Sequence, residues 1–228
     1  MKDYFQSKPK DAVFVSFFLY AFSLGTLFPR LGDLQTQMNI DKATLGFALI
    51  GLPLGVQLTL LFADRIVRKF NFRLILTIGI PLLSISQCFA ALMQSPYLFA
   101  GILIIGGASI AVIEVAVNLE ADRIEASIGK RIMNGSHAYW SFGFFGAGII
   151  GAGFSQFGIS PFLHFVAITF FISIITNLLF LDYIAAKPRR QSLPPQKKSL
   201  FGHQKVFFFL FCFRCRRCLS KGLALIGL

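Results

Sequence analysis

Two acidic residues stand at or inside apolar stretches, each with a polar residue four positions on: Asp64 before Arg68, and Glu114 before Asn118. A spacing of four puts two side chains on one face of a helix. Asp64, Arg65, Arg68 and Lys69 thus make a compact charged cluster, in which Asp64 and Arg68 can pair. Glu114 is a different case, because no charged residue separates it from Arg73. A carboxylate there costs a few kcal/mol unless it is paired, protonated or facing water. It reads either as a proton-coupling or gating acid, helped by Asn118, or as the structural partner of a basic side chain. Cys212, Cys215 and Cys218 form a C-x-x-C-x-x-C run, but a cluster or zinc site normally takes four ligands and arginines interrupt this one, so no metal or other cofactor is expected. There is no phosphate-binding glycine loop, zinc-protease pair or nucleophile–base set, and no catalytic residue is assigned; the chain does not read as an enzyme.

The elements that must position these groups follow from the distribution of charge. Residues 74–113 and 132–181 carry no charged side chain, and each run is about two bilayer crossings long at roughly 20 residues per span. The shorter uncharged runs 12–29 and 43–63 precede them. None shows the polar stripe of a soluble core helix. The predicted architecture is therefore all-α, a polytopic bundle of six transmembrane helices: Ala12–Phe28, Thr44–Ala63, Leu74–Leu92, Pro96–Asn118, Ser136–Phe154 and Pro161–Leu181. Short connections predict tight antiparallel hairpins between spans three and four and between five and six. Asp41 is placed to cap the second helix.

Basic residues sit on alternate connections. Lys2, Lys8 and Lys10 precede span one; Arg65, Arg68, Lys69 and Arg73 follow span two; Arg123, Lys130 and Arg131 follow span four; a further basic set follows span six. The opposite connections hold only Arg30 and Lys42. This asymmetry predicts a cytoplasmic N-terminus and C-terminal tail. The net charge of +12 is thus spread over span ends instead of gathered on one surface, so no nucleic-acid partner is expected. The small-residue spacings Gly51/Gly55 and Gly143/Ala147/Gly151 mark faces where helices approach closely, within the bundle or between two copies.

The stretch Ala63-Asp64-Arg65-Ile66-Val67-Arg68-Lys69 resembles the signature between the second and third helices of the major facilitator superfamily, G-x-L-A-D-R-x-G-R-K. Ala63, Asp64, Arg65, Arg68 and Lys69 match, whereas Leu60, Phe62 and Val67 depart from it. Three further stretches, Leu45 to Gly55, Glu114 to Asn118 and His137 to Gly143, look like the bacterial YbjJ-type inner-membrane permeases. The resemblance covers roughly residues 11–186, one six-helix half of a fold normally built from two. It implies a conformational latch at Asp64, Arg65, Arg68 and Lys69, with Arg68 reaching an acid at the base of span four (Glu114, Glu120 or Asp122). It also places Tyr20, Ser23 and Ser109 near the midplane, where such proteins bind substrate. The alternative for these hydroxyls is a bond to their own helix backbone.

The organisation expected is a six-span half-transporter domain (1–186), a basic cytoplasmic linker (187–205) and an aborted seventh span (206–228), the last consistent with a frameshifted, truncated product. The function expected is transport of a small solute by alternating access, inactive in this chain alone. A non-transporting six-span scaffold, subunit or remnant is the other class. Its expected partners are the lipid bilayer of the inner (plasma) membrane, a small solute, a coupling proton, and a missing C-terminal half or second copy.

Overall fold

The computed structural model describes residues 8–180 and 182–186, which fall within one compact unit. The expected linker, the expected seventh span with its three cysteines, and Leu181 at the end of the sixth span lie outside the described residues. All regular structure among the described residues is helical. In chain order it comprises α1 (Pro9–Gly25), a 3-10 turn (Phe28–Arg30), α2 (Leu31–Met38), α3 (Lys42–Leu49), α4 (Gly51–Lys69), α5 (Phe72–Leu92), α6 (Pro96–Ile128), α7 (Met133–Gln156) and α8 (Pro161–Phe180).

Five helical segments are long and apolar enough to cross a membrane: Pro9–Met38, Lys42–Lys69, α5, α6 and α8. At 24 residues, α7 matches them in length and has no charged side chain, but glycine dilutes its hydropathy. Local chemistry explains the joints. Pro29 lies in the tight turn that links α1 to α2, and α2 ends at Asn39 in the left-handed conformation, φ 51°. The Asp41 carboxylate accepts the Thr44 amide hydrogen at 2.8 Å and starts α3. Pro53 has no amide hydrogen to give Leu49, and the helix is broken at Ile50 between α3 and α4.

Span four differs most from the sequence expectation. Its helix does not stop at Asn118 but runs 33 residues to Ile128, ending at Gly129 with φ 67°. At 1.5 Å per residue that is roughly 50 Å, well beyond a hydrocarbon core of about 30 Å. Glu120, Asp122, Arg123 and Glu125 mark where the apolar stretch stops, not where the helix stops. The next helix is tied to this overhang, for Glu125 accepts the amide hydrogens of Ile132 (2.6 Å) and Met133 (2.8 Å) at the start of α7.

The most extensive packing is α4 on α6, α1 on α7, and α5 on both α6 and α8. Glycine permits the first two. A methyl group on Gly55 would overlap the Ile104 carbonyl, one on Gly107 the Leu52 carbonyl, and one on Gly143 the Phe18 carbonyl. Both small-residue stripes are thus used inside the bundle. When the first three spans are exchanged for the last three, the pairs one–five and two–four exchange and three–six maps onto itself, whereas the packed pair three–four maps onto one–six, which scarcely touch. The expected hairpin between spans five and six is not a packed one, because α7 spends its glycine face on α1 and α8 lies on α5.

Two apolar clusters hold the bundle together. One gathers Ala12, Phe72, Ile124, Ile132 and Tyr183, the other Leu34, Met38, Leu45, Phe99 and Phe165. Between α1 and α5 runs a buried polar seam: Ser23 and Ser84 share a hydrogen bond of 2.6 Å, and Thr26 donates to Gln87 Oε1 at 2.6 Å. Gln87 in turn donates to the Ser23 carbonyl at 2.9 Å. Large apolar side chains such as Leu61, Phe142, Phe145 and Phe170 face outward, which suits lipid and not water.

Candidate functional site

The two glycine-closed pairs, α4 with α6 and α1 with α7, face one another across an open cavity of about 420 Å³. From α1 come Phe17, Tyr20 and Leu24; from α4, Leu52, Pro53, Val56 and Gln57; from α6, Ile110, Glu114 and Asn118; from α7, His137 and Trp140. The periodicity is that of one face per helix, since Ile110, Glu114 and Asn118 recur every fourth residue. Phe28, just beyond α1, completes the lining.

The walls are mostly apolar and aromatic, with a few polar groups converging, the composition expected where a small molecule binds. Glu114 is exposed to the cavity and, among the described residues, forms no salt bridge. One turn on, Asn118 Nδ2 donates to the Glu114 backbone carbonyl at 2.8 Å, which leaves its own side-chain oxygen to accept. His137 packs edge-on against Phe17 at 5.3 Å, and Trp140 stacks on Phe144 at 5.3 Å, so both rings are held by a neighbouring ring. The arrangement can hold a small solute against aromatic rings while a carboxylate and two amides address its polar groups.

The cavity brings together three residues singled out from sequence, Tyr20, Glu114 and Asn118, and leaves two elsewhere. Ser23 turns into the seam with Ser84, and Ser109 donates to the Ile105 carbonyl at 3.3 Å on another face of α6. His137, Trp140 and Gln57 also line the cavity, and sequence reasoning passed over Gln57. The available signal for Gln57 was a lone amide four residues after Pro53 in an otherwise apolar stretch.

The charged cluster after span two is arranged within its own helix. Arg68 meets Asp64 twice, Nε to Oδ1 and NH2 to Oδ2, both at 3.0 Å, and both side chains are exposed. Arg65 lies 5.9 Å from the Phe62 ring centre, and Lys69 5.7 Å from that of Phe70. Among the described residues, no salt bridge joins Arg68 to an acid of span four. Glu120 is fully buried and engaged by the Tyr183 hydroxyl, the Ala186 amide and Arg123, while Glu114 faces the cavity. At the other end of the bundle, Arg30 is buried. Its Nε lies 2.8 Å from Asp33 Oδ2, its NH2 donates to the Ile159 carbonyl, and Ser155 donates to Asp33 at 3.0 Å. Among the described residues no group of three or more histidine, cysteine or acidic side chains is placed to hold a metal.

Comparison with known proteins bears on what this cavity serves. The family model of the Major Facilitator Superfamily matches residues 13–224. An uncharacterized MFS-type transporter of Yersinia pestis is 26% identical over 139 residues, which is 61% of this chain and 35% of that protein. The uncharacterized transporter y4wD of Sinorhizobium fredii (strain NBRC 101917 / NGR234) is 29% identical over 136 residues, 59% of this chain and 36% of that protein. The matched stretch thus spans about a third of the length of these curated relatives. No solved structure matches.

Proposed function

The chain belongs to the Major Facilitator Superfamily, and on that premise we propose that it forms one half of a secondary transporter that moves a small solute by alternating access. The observation that carries this reading is Glu114, a carboxylate at membrane depth that faces a cavity with no salt-bridge partner among the described residues. Such a group costs a few kcal/mol unless it meets water, a proton or a cation, and transporters retain it for that purpose. Glu114 binds the coupling proton or gates the cavity, Asn118 and Gln57 orient the solute, and Tyr20 and Trp140 supply its apolar contact.

The cavity is open on one side, so a second wall is needed. It comes from the remaining length of a full-size family member or from a second copy, and the chain alone is inactive. Rocking of the two walls makes and breaks the contacts of Asp64, Arg65, Arg68 and Lys69, which act as the latch. The stretches Leu45–Gly55, Glu114–Asn118 and His137–Gly143 support a YbjJ-type permease of the bacterial inner membrane. The basic connections support cytoplasmic placement of the N-terminus and tail.

The test uses liposomes that trap a pH-sensitive dye and hold the chain either alone or fused to the C-terminal half of a full-length relative. A solute library is screened for solute-driven proton flux. Flux from the fusion, lost on Glu114→Gln and absent from the chain alone, supports the proposal. Full-rate flux from the monomeric chain refutes the need for a second wall, and unchanged flux in Glu114→Gln refutes the role of the carboxylate.

A further inference from the structure

A second groove, of about 470 Å³, lies between α4, α5 and α6, on the side of α6 away from Glu114. At 100° per residue, its α6 contacts Ile105, Ala108 and Val112 stand roughly opposite the cavity face Ile110, Glu114 and Asn118. The lining is almost wholly apolar, with Ile66, Leu74 and Ile78 along its length and Phe70 at one end. From Leu74 to Leu82 it follows α5 for roughly 12 Å, close to the roughly 15 Å depth of one leaflet.

That end is positively charged. The Lys69 ammonium sits 5.7 Å from the Phe70 ring that lines the groove, Arg73 directly precedes Leu74, and Arg65 directly precedes Ile66. Unlike Arg68, none of these three forms a salt bridge among the described residues. An apolar slot one leaflet deep, ending in uncompensated cations at the level of the headgroups, has the chemistry of an anionic amphiphile. We propose that this groove binds one anionic phospholipid, with an acyl chain against α5 and α6 and its phosphate at Lys69 and Arg73.

The test is native mass spectrometry of the delipidated full chain, offered phosphatidylglycerol and phosphatidylcholine at equal concentration. The expected result is one retained phosphatidylglycerol per chain in preference to phosphatidylcholine. Lys69→Gln and Arg73→Gln each lower that preference about fivefold, as expected for one cation at a membrane surface. Both side chains are exposed, so these variants leave the packing alone. Ala108→Phe, which fills the slot, lowers retention of both lipids. A photoactivatable phosphatidylglycerol crosslinks to α4, α5 or α6 at the groove. Equal retention of the two lipids, a preference that survives Lys69→Gln and Arg73→Gln combined, crosslinks confined to other helices, or a second copy crosslinked through Ile78→Cys overturns the proposal.

Discussion

The Tyr183 hydroxyl donates to the buried Glu120 carboxylate at 2.9 Å, and so returns the chain that leaves span six to the base of span four. The same Glu120 oxygen accepts the Ala186 amide hydrogen at 2.6 Å. Burial, reinforced by the Glu120 charge, holds the tyrosine protonated well above its usual range, so the donor persists through all ordinary pH. Hydrogen bonds to a charged group contribute about 1.5–3 kcal/mol each, and Tyr183→Phe removes one of them. Glu120→Ala removes both and strands the Ala186 amide, so its cost is the larger. Thermal unfolding in nanodiscs reads the order: Glu120→Ala melts below Tyr183→Phe, which melts below the parent. Equal melting of all three contradicts the tether.

Glycine at position 55 is required by contact, and at position 46 it is not. A side chain on Gly55 meets the Ile104 backbone, whereas one on Gly46 meets nothing within 4 Å. Gly55→Ala must push α4 off α6, with an overpacking cost of about 1–3 kcal/mol. Gly46→Ala stiffens the unfolded chain and stabilises by about 0.4–1 kcal/mol. The two alanine variants therefore shift the unfolding midpoint in opposite directions, which a denaturant titration in mild detergent measures.

Accessibility distinguishes the cavity from the seam. In a background with the native cysteines replaced by serine, Glu114→Cys reacts with a membrane-impermeant thiol reagent in open vesicles. Ser84→Cys, buried against Ser23, does not. Reaction at both positions places water in the α1–α5 seam and contradicts the packing described.

Acid acts on the start of span two. The Thr44 hydrogen bonds to Asp41 hold its carboxyl below the usual value of 3.8. A depressed folded-state pKa means that the stabilisation is present above 3.8 and fades as pH falls through the folded value. The Thr44 amide resonance therefore titrates with a midpoint below 3.8, and this transition disappears in Asp41→Asn. A midpoint above 3.8 removes the cap.

Much of the fold was legible because hydrocarbon imposes a length on every apolar run. The positions of α5 and α8 follow from charge spacing alone, and Asp41 announced a helix start by type and place. The overhang of α6 was hidden because residues 119–128 mix acids and bases at ordinary helical propensity, and such a mixture reads equally well as loop. The site was half legible. Glu114 and Asn118 stood out against their surroundings, and Tyr20 by its depth. Ser23 could not be separated from Tyr20 by sequence, since three residues on a helix turn the side chain by roughly 60° and only packing shows which direction is the seam. The Asp64–Arg68 pair was legible from its spacing of four, while the span-four acid that the family pattern implied for Arg68 forms no salt bridge with it among the described residues.

The length of α6 makes it a lever. A straight rod of roughly 50 Å that tilts by about 10° around its middle sweeps each tip through roughly 4 Å. Near one tip ride Glu120, which grips the segment leaving α8, and Glu125, which grips the first turn of α7. Any swing of this one rod is therefore handed at once to two neighbours, far from the pivot where the solute would sit.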